Sequence, residues 1–339
     1  MNLRLNSPTL LLLAAVVPVF VLLFGVIPYT YSHLEYGSQL VSVGHALWIM
    51  WNMFPDYQFG MLVPFLTVFV IFRQRQELTV LPIAGWWPGL AFVVAVLALY
   101  WAGRRVDNQY IGFFSIQLLL ISLVLWLLGW RWLRALAFPL AFLVFTWPMP
   151  FLDNMVTFPL RMFMSHIAVG SLNVFGIAAE QDGTGIFSAA NPAVHLAAGQ
   201  LFQVDVADPC SGIRSLFALL MISALYGYLS LKSPGKQAIL FLSAIPLAIA
   251  GNLFRILMLT MGIIVLGAPT AIGSLEHPTW FHEGAGYVVF LVALGGMLII
   301  ANFLNADLRM WRQKFQKATS AVKPAASKSA SAEDQSDLY

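Results

Sequence analysis

Apolar runs long enough to enter or cross a bilayer recur along the whole chain, at residues 9–29, 60–72, 86–102, 111–129, 133–147, 211–231, 238–266 and 284–304. About 20 residues of helix cross the hydrocarbon core, and no water-soluble fold could bury so many runs of this kind. The 60–72 run is short, and it borrows length from the preceding segment with Trp51, Met53 and Phe54. Composition agrees: 60% of the 339 residues are hydrophobic and 10% charged, against about 25% charged in an ordinary soluble domain. The first run is long for a signal peptide and lacks a small-residue cleavage site before the polar stretch 31–35, so it is expected to stay as an anchor.

Basic residues in short loops set orientation. The loops at 73–77, 129–134 and 232–236 and the basic segment 309–317 are therefore expected on the cytoplasmic side, with Arg4 placing the N-terminus there too. Both ends on one side require an even number of crossings, which eight satisfies. Arg104 and Arg105 fall on the outer side, partly offset by Asp107. Segment 153–177 is apolar but carries Asp153, Asn154, Arg161, Ser165, His166 and Asn173. A ninth crossing would break the parity, so it reads as an interfacial helix on the outer face.

Residues 178–209 form the one sizeable outer piece, with turns at Asp182-Gly183 and Ala198-Gly199. Its end alternates Phe202, Val204 and Val206 with Gln203 and Asp205, the pattern of a short half-exposed strand. The expected fold is thus an all-α polytopic membrane protein of about eight transmembrane helices, with a short outer β/loop segment and an interfacial helix. Residues 1–317 form one integral membrane domain, and 318–339, rich in Ala, Ser and Lys, form a disordered cytoplasmic tail.

The chain has a single cysteine, which excludes an intrachain disulfide and a cysteine-based zinc cluster. A formal charge of +3, spread over short loops, does not suit nucleic acid. No Gly-rich phosphate loop or His-Glu-x-x-His helix is present, so no cofactor or metal is expected.

Cys210 lies in Asp208-Pro209-Cys210-Ser211-Gly212-Ile213-Arg214. Asp208 suits a helix N-cap and Pro209 the first helical position, which puts the thiol in the first turn. The helix dipole and Arg214, one turn on, both favour the thiolate. A solitary Cys in a membrane protein is otherwise a small apolar filler. Arg255 sits in Gly251-Asn252-Leu253-Phe254-Arg255, inside an apolar helix beginning near Ala238. Seventeen residues rise about 25 Å, which brings Arg255 near the outer boundary. Such an arginine costs about 2.5–3.5 kcal/mol to insert and marks a site, unless it simply snorkels to the headgroups. Asn252, three residues earlier, is placed to orient the guanidinium. His282 opens the last run, again at the outer face, with Glu283 beside it. His33, His45, His166 and His195 have no evident partner, His277-Pro278 reads as a turn, and Pro246 is expected to bend its helix.

A thiol, a guanidinium and an imidazole thus converge at one depth from three helices. Acyl transfer needs that set: a nucleophile, a proton carrier and an oxyanion clamp.

At these residues the chain resembles the exosortase and archaeosortase family, through Cys210-Ser211-Gly212, Asn252-Leu253-Phe254-Arg255 and His282 in the family's order. The stretch Asp56-Tyr57-Gln58-Phe59-Gly60-Met61-Leu62-Val63-Pro64 is similar to the family's Tyr-Ser-His-Gly-x-Leu-Val-Pro, and Phe158-Pro159-Leu160-Arg161 through Gly176 to its Pro-Leu-Gln segment, so the resemblance covers 54–304. Gln58 and Phe59 replace the usual Ser and His, so no catalytic role is assigned there; residues 188–200 are longer than usual. The resemblance implies a cysteine transpeptidase of the inner membrane, active on its outer face. Its partner would be the C-terminal sorting signal of exported proteins, a Pro-Glu-Pro-like motif followed by a membrane helix and a basic cluster. Cys210 would form a thioester, resolved by an amine acceptor during surface anchoring or exopolysaccharide-linked export. The alternative is a transporter or polysaccharide-export component in which Arg255 and His282 bind an anion and Cys210 is incidental.

Overall fold

The computed structural model describes residues 7–32, 39–148, 155–156, 158–205, 213–273 and 279–306. The readings of Asp208, Pro209, Cys210, Ser211, Gly212, His33, His277 and the 318–339 tail lie outside the described residues.

The N-terminal half begins with α1 (Ser7–Val21), which runs through a π turn at Leu22–Val26 into β1 (Pro28–Ser32). This strand pairs antiparallel with β2 (Gln39–Ser42), a hairpin not expected from the sequence. Ser42 caps α2 (Val43–Met53), its Oγ accepting from the His45 N–H at 3.3 Å. After a 3-10 turn at Pro55–Leu62 come α3 (Val63–Arg73), α4 (Arg75–Thr79), α5 (Gly89–Arg105) and α6 (Gln109–Leu123), the last extended by a π turn to Leu128. Asn108 caps α6, accepting from Tyr110 N–H and Ile111 N–H at 3.0 and 3.1 Å. The helix stops at Gly129, whose φ of +90 suits glycine and where any Cβ would collide with the Ala84 carbonyl oxygen. The helices α7 (Trp130–Ala135) and α8 (Ala137–Phe142) follow.

Tyr29 holds the hairpin in place. Its ring is buried against Tyr100, with room left by Gly103 on α5 and Gly112 on α6. Asp107, in the turn between those helices, accepts from Thr30 Oγ1 at 2.7 Å and from the Tyr31 N–H at 2.9 Å.

The C-terminal half contains α9 (Phe158–Val174), strands β3 (Ala179–Asp182), β4 (Gly185–Ser188) and β5 (Gln203–Asp205), then α10 (Ile213–Ser230), α11 (Pro234–Leu266), α12 (Ala268–Ala271) and α13 (Trp280–Asn305). The expected strand is β5, and it is the edge of a three-stranded antiparallel sheet ordered β3-β4-β5. Met164, Ala168 and Leu172 of α9 pack with Ile256 and Ile263 of α11 and with Ile186, Phe202 and Val204 of the sheet. Fully burying each such Ile, Phe or Leu contributes roughly 1.5–3 kcal/mol. Asn173 ties α9 to β3 in both directions, donating to the Ala179 carbonyl at 3.1 Å and accepting from the Ala179 N–H at 2.8 Å.

The helices α10 and α11 form an antiparallel hairpin, and α13 packs on α11 through small residues. Ala244, Ala248, Ala293 and Ala301 are buried together, and a Cβ at Gly251 would stand 3.0 Å from a Val289 methyl. Small residues let helix backbones approach where lipid offers no hydrophobic drive. At the far end Lys236 Nζ donates to the Leu304 carbonyl. The two halves meet along α10, where Tyr228 stacks on Phe138 with centroids 3.8 Å apart and bonds to Gln74.

Among the described residues three helices are long and apolar enough to cross a membrane: Gln109–Leu128, Pro234–Leu266 and Trp280–Asn305. Shorter apolar helices are Ala14–Val26, Tyr57–Arg73, Ala137–Thr146 and Arg214–Ser230. The protein is therefore mostly helical and multi-pass, whereas several of the eight expected runs are not continuous spanning helices. The 133–147 run is divided among α7, α8 and a 3-10 turn. The 60–72 run gains length from the 3-10 turn before it and not from α2, whose helix ends at Met53. Pro246 does not interrupt α11, whose 33 residues rise about 50 Å, more than the ~30 Å of a bilayer core.

Candidate active site

The site lies where α11 meets the first turn of α13. Thr279 is the N-cap of α13: its Oγ1 accepts from the His282 N–H at 3.2 Å and donates to the Ala271 carbonyl of α12 at 2.9 Å. These two hydrogen bonds of one hydroxyl fix the turn bearing His282 to α12. Phe281 lies over Gly262, where a Cβ would come within 2.5 Å of its ring. The first turn of α13 is thus seated on α11 one residue before His282.

From α11, half-buried Arg255 reaches His282, and the distance from Nη2 to Nε2 is 3.2 Å. Its guanidinium lies against Gly286, one turn beyond His282, where an added Cβ would sit 3.5 Å from Arg255 Cζ. Arginine offers N–H donors only, so Nε2 accepts in this contact and the neutral imidazole carries its proton on Nδ1. His282 is buried, and Nδ1 has no hydrogen-bond partner among the described residues. Asn252, one turn before Arg255, is buried as well, with its Nδ2 also without a partner among them. Each such buried polar group costs about 1–3 kcal/mol if nothing meets it.

The third helix approaches the same end. Gly227 of α10 lies against Gln237 of α11, and equal rise along antiparallel helices brings the start of α10, Ile213, to about the level of Gly251 and Asn252. Arg214, in that first turn, is exposed. Phe217, one turn in, faces Tyr57 and Phe59 at ring separations of 6.3 Å, so the 56–64 stretch closes on the head of α10.

Arg255 and His282, singled out separately in the sequence, are therefore in contact. Asn252 lies one turn before Arg255 on α11, and Glu283 is exposed in the first turn of α13, where a carboxylate suits the helix dipole. Cys210 and Ser211 lie outside the described residues. His45, His166 and His195 are exposed, and among the described residues no three His, Cys, Asp or Glu side chains gather to hold a metal ion. Sequence reasoning missed Thr279 and Gly286. Thr three residues before His282 was a usable N-cap signal. Nothing local marks Gly286 as the floor under an arginine from another helix.

A family model described as transmembrane exosortase matches residues 51–299, well over half of the chain. No curated protein matches, and no solved structure does.

Proposed function

The chain belongs to the transmembrane exosortase family, and from that premise we propose that it is a membrane-embedded cysteine transpeptidase acting on C-terminal sorting signals of exported proteins. The observation that carries this reading is the 3.2 Å contact of Arg255 with His282 at the head of α13. A cation and an imidazole on two helices meet there, beside a third helix that starts three residues after the only thiol.

In the proposed reaction Nε2 of His282 takes the Cys210 proton, and the thiolate attacks the scissile carbonyl carbon. A C–S bond forms and the carbonyl π pair moves to oxygen, where the Arg255 guanidinium holds it. Collapse breaks the C–N bond, the leaving amine takes the proton from His282, and a thioester remains. An acceptor amine then attacks the thioester, gives its proton to His282 and expels the thiolate. Before substrate arrives Arg255 occupies Nε2. An incoming carbonyl oxygen competes for the guanidinium and so releases the base as the oxyanion site fills.

The proposal extends to eight crossings, the discontinuous ones included, with both termini cytoplasmic and the site on the outer face of the inner membrane. The substrate is a Pro-Glu-Pro-like motif on a membrane helix, and the acceptor is an amine. A substrate too hydrophobic to leave the bilayer accounts for an enzyme embedded in it. The test is to trap the acyl-enzyme with a sorting-signal substrate and locate the fragment by mass spectrometry. A fragment on Cys210 supports the reading. Turnover with an unmodified Cys210, or in a Cys210→Ser chain, overturns it.

A further inference from the structure

The donor of greatest interest beyond the Arg255–His282 contact is Asn252. Its side chain is 4% exposed, and its Nδ2 is sealed without any hydrogen-bond partner among the described residues. A buried amide left in this state destabilises a fold, and an apolar residue of the same size would serve packing better. Ala248, one turn before it, and Ile256, one turn after it, are both apolar and buried. Packing therefore does not explain a polar residue at 252.

Its placement does. Asn252 is three residues before Arg255, so the two side chains leave neighbouring positions on α11. It is level with the start of α10, the helix that begins three residues after Cys210. The Arg255 guanidinium is turned toward His282 Nε2 and Gly286, while the Asn252 amide is engaged by neither.

We propose that Asn252 is a further catalytic residue: its Nδ2–H donates to the carbonyl oxygen attacked by the thiolate, as a second oxyanion donor beside Arg255. This rests on the acyl-transfer reading above and adds a neutral donor to the charged one. Asn252 and Arg255 together hold the oxyanion as the C–S bond forms.

Two reactions of the same thiol separate this role from a structural one. Acetylation of Cys210 by p-nitrophenyl acetate passes through a tetrahedral oxyanion. Alkylation by iodoacetamide displaces iodide at a saturated carbon and forms none. Both are followed by mass spectrometry on the full chain in detergent, for wild type, Asn252→Leu, Asn252→Asp and Cys210→Ser, with thermal unfolding measured alongside. Loss of one oxyanion donor is worth on the order of 100-fold. Asn252→Leu should slow acetylation by about that factor, leave alkylation within about twofold, and unfold no earlier than wild type. Asn252→Asp retains an acceptor without the donor and should lose acetylation equally. Acetylation that is unchanged, or that falls together with alkylation, overturns the assignment of Asn252 while leaving the acyl-transfer reading intact. A wild-type thiol that alkylates but is never acetylated counts against that reading itself, and the role of Asn252 goes with it.

Discussion

Arg255 Nη2 on α11 lies 3.2 Å from His282 Nε2 on α13, across 27 residues of sequence. Because a guanidinium only donates, this one distance assigns the tautomer of the ring and leaves Nε2 as the acceptor. The planar fork that makes the contact is also what an oxyanion clamp requires.

Arg255→Lys keeps the charge and removes the fork. Processing should fall about a hundredfold to a thousandfold, roughly 2.7–4 kcal/mol, if Arg255 holds the oxyanion. Rates are compared at equal amounts of inserted protein. A lysine enzyme within about threefold of wild type, roughly 0.7 kcal/mol, would return Arg255 to a headgroup anchor.

Cys210→Ser exchanges thiol for hydroxyl with little change of volume, so the chain should insert and accumulate normally yet process nothing. His282→Ala should lose turnover in the same way, and His277→Ala should be much milder. Immunoblots of precursor and product in cells give the answer, and reversal of the two histidine phenotypes would mean the wrong imidazole has been chosen.

Thr279→Val is nearly isosteric but breaks both bonds of the hydroxyl, to the His282 N–H and to the Ala271 carbonyl. Loss of an N-cap costs about 0.5–2 kcal/mol. The variant should melt earlier and turn over more slowly, with Thr279→Ser restoring both. Thermal unfolding and processing rates check this, and a valine variant equal to wild type in both would show that the cap does not position His282.

Gly286 leaves room for one methyl group beside Arg255, since a Cβ there would stand 3.5 Å from Cζ, an ordinary contact. Gly286→Ala should therefore stay within about threefold of wild type, about 0.7 kcal/mol. Gly286→Leu places further carbons where the guanidinium lies and should resemble a loss of Arg255. Equal processing by the alanine and leucine variants would show that the guanidinium works elsewhere.

Cys210 is the only thiol in the chain, so a small maleimide that does not cross membranes reports its side directly. Labelling is expected in intact cells. Modification that requires opened membranes would reverse the proposed orientation.

Much of this was legible in the sequence. The apolar runs identified a membrane protein, and the alternation before Val206 located β5. Counting residues along the last two long helices put Arg255 and His282 at one depth. The breaks were less legible. Apart from Arg134 and Thr146 the 133–147 run is apolar, but its helix is interrupted at Leu136 and tightens into a 3-10 turn at Leu143–Thr146. The hairpin was hidden because Tyr29, the residue that anchors it, depends on space left by Gly103 and Gly112, more than seventy residues away.

Sequence by itself determined the solvent of this protein and which reactive side chains it carries, because hydrophobic run length and residue type are local properties of the chain. Only the tertiary structure decided which groups touch. The Arg255–His282 contact depends on how α11 and α13 cross, and that is set by Gly251 against Val289 and by Phe281 over Gly262. Those approaches depend on side-chain volumes on two helices at once, and no stretch of either helix contains the information alone.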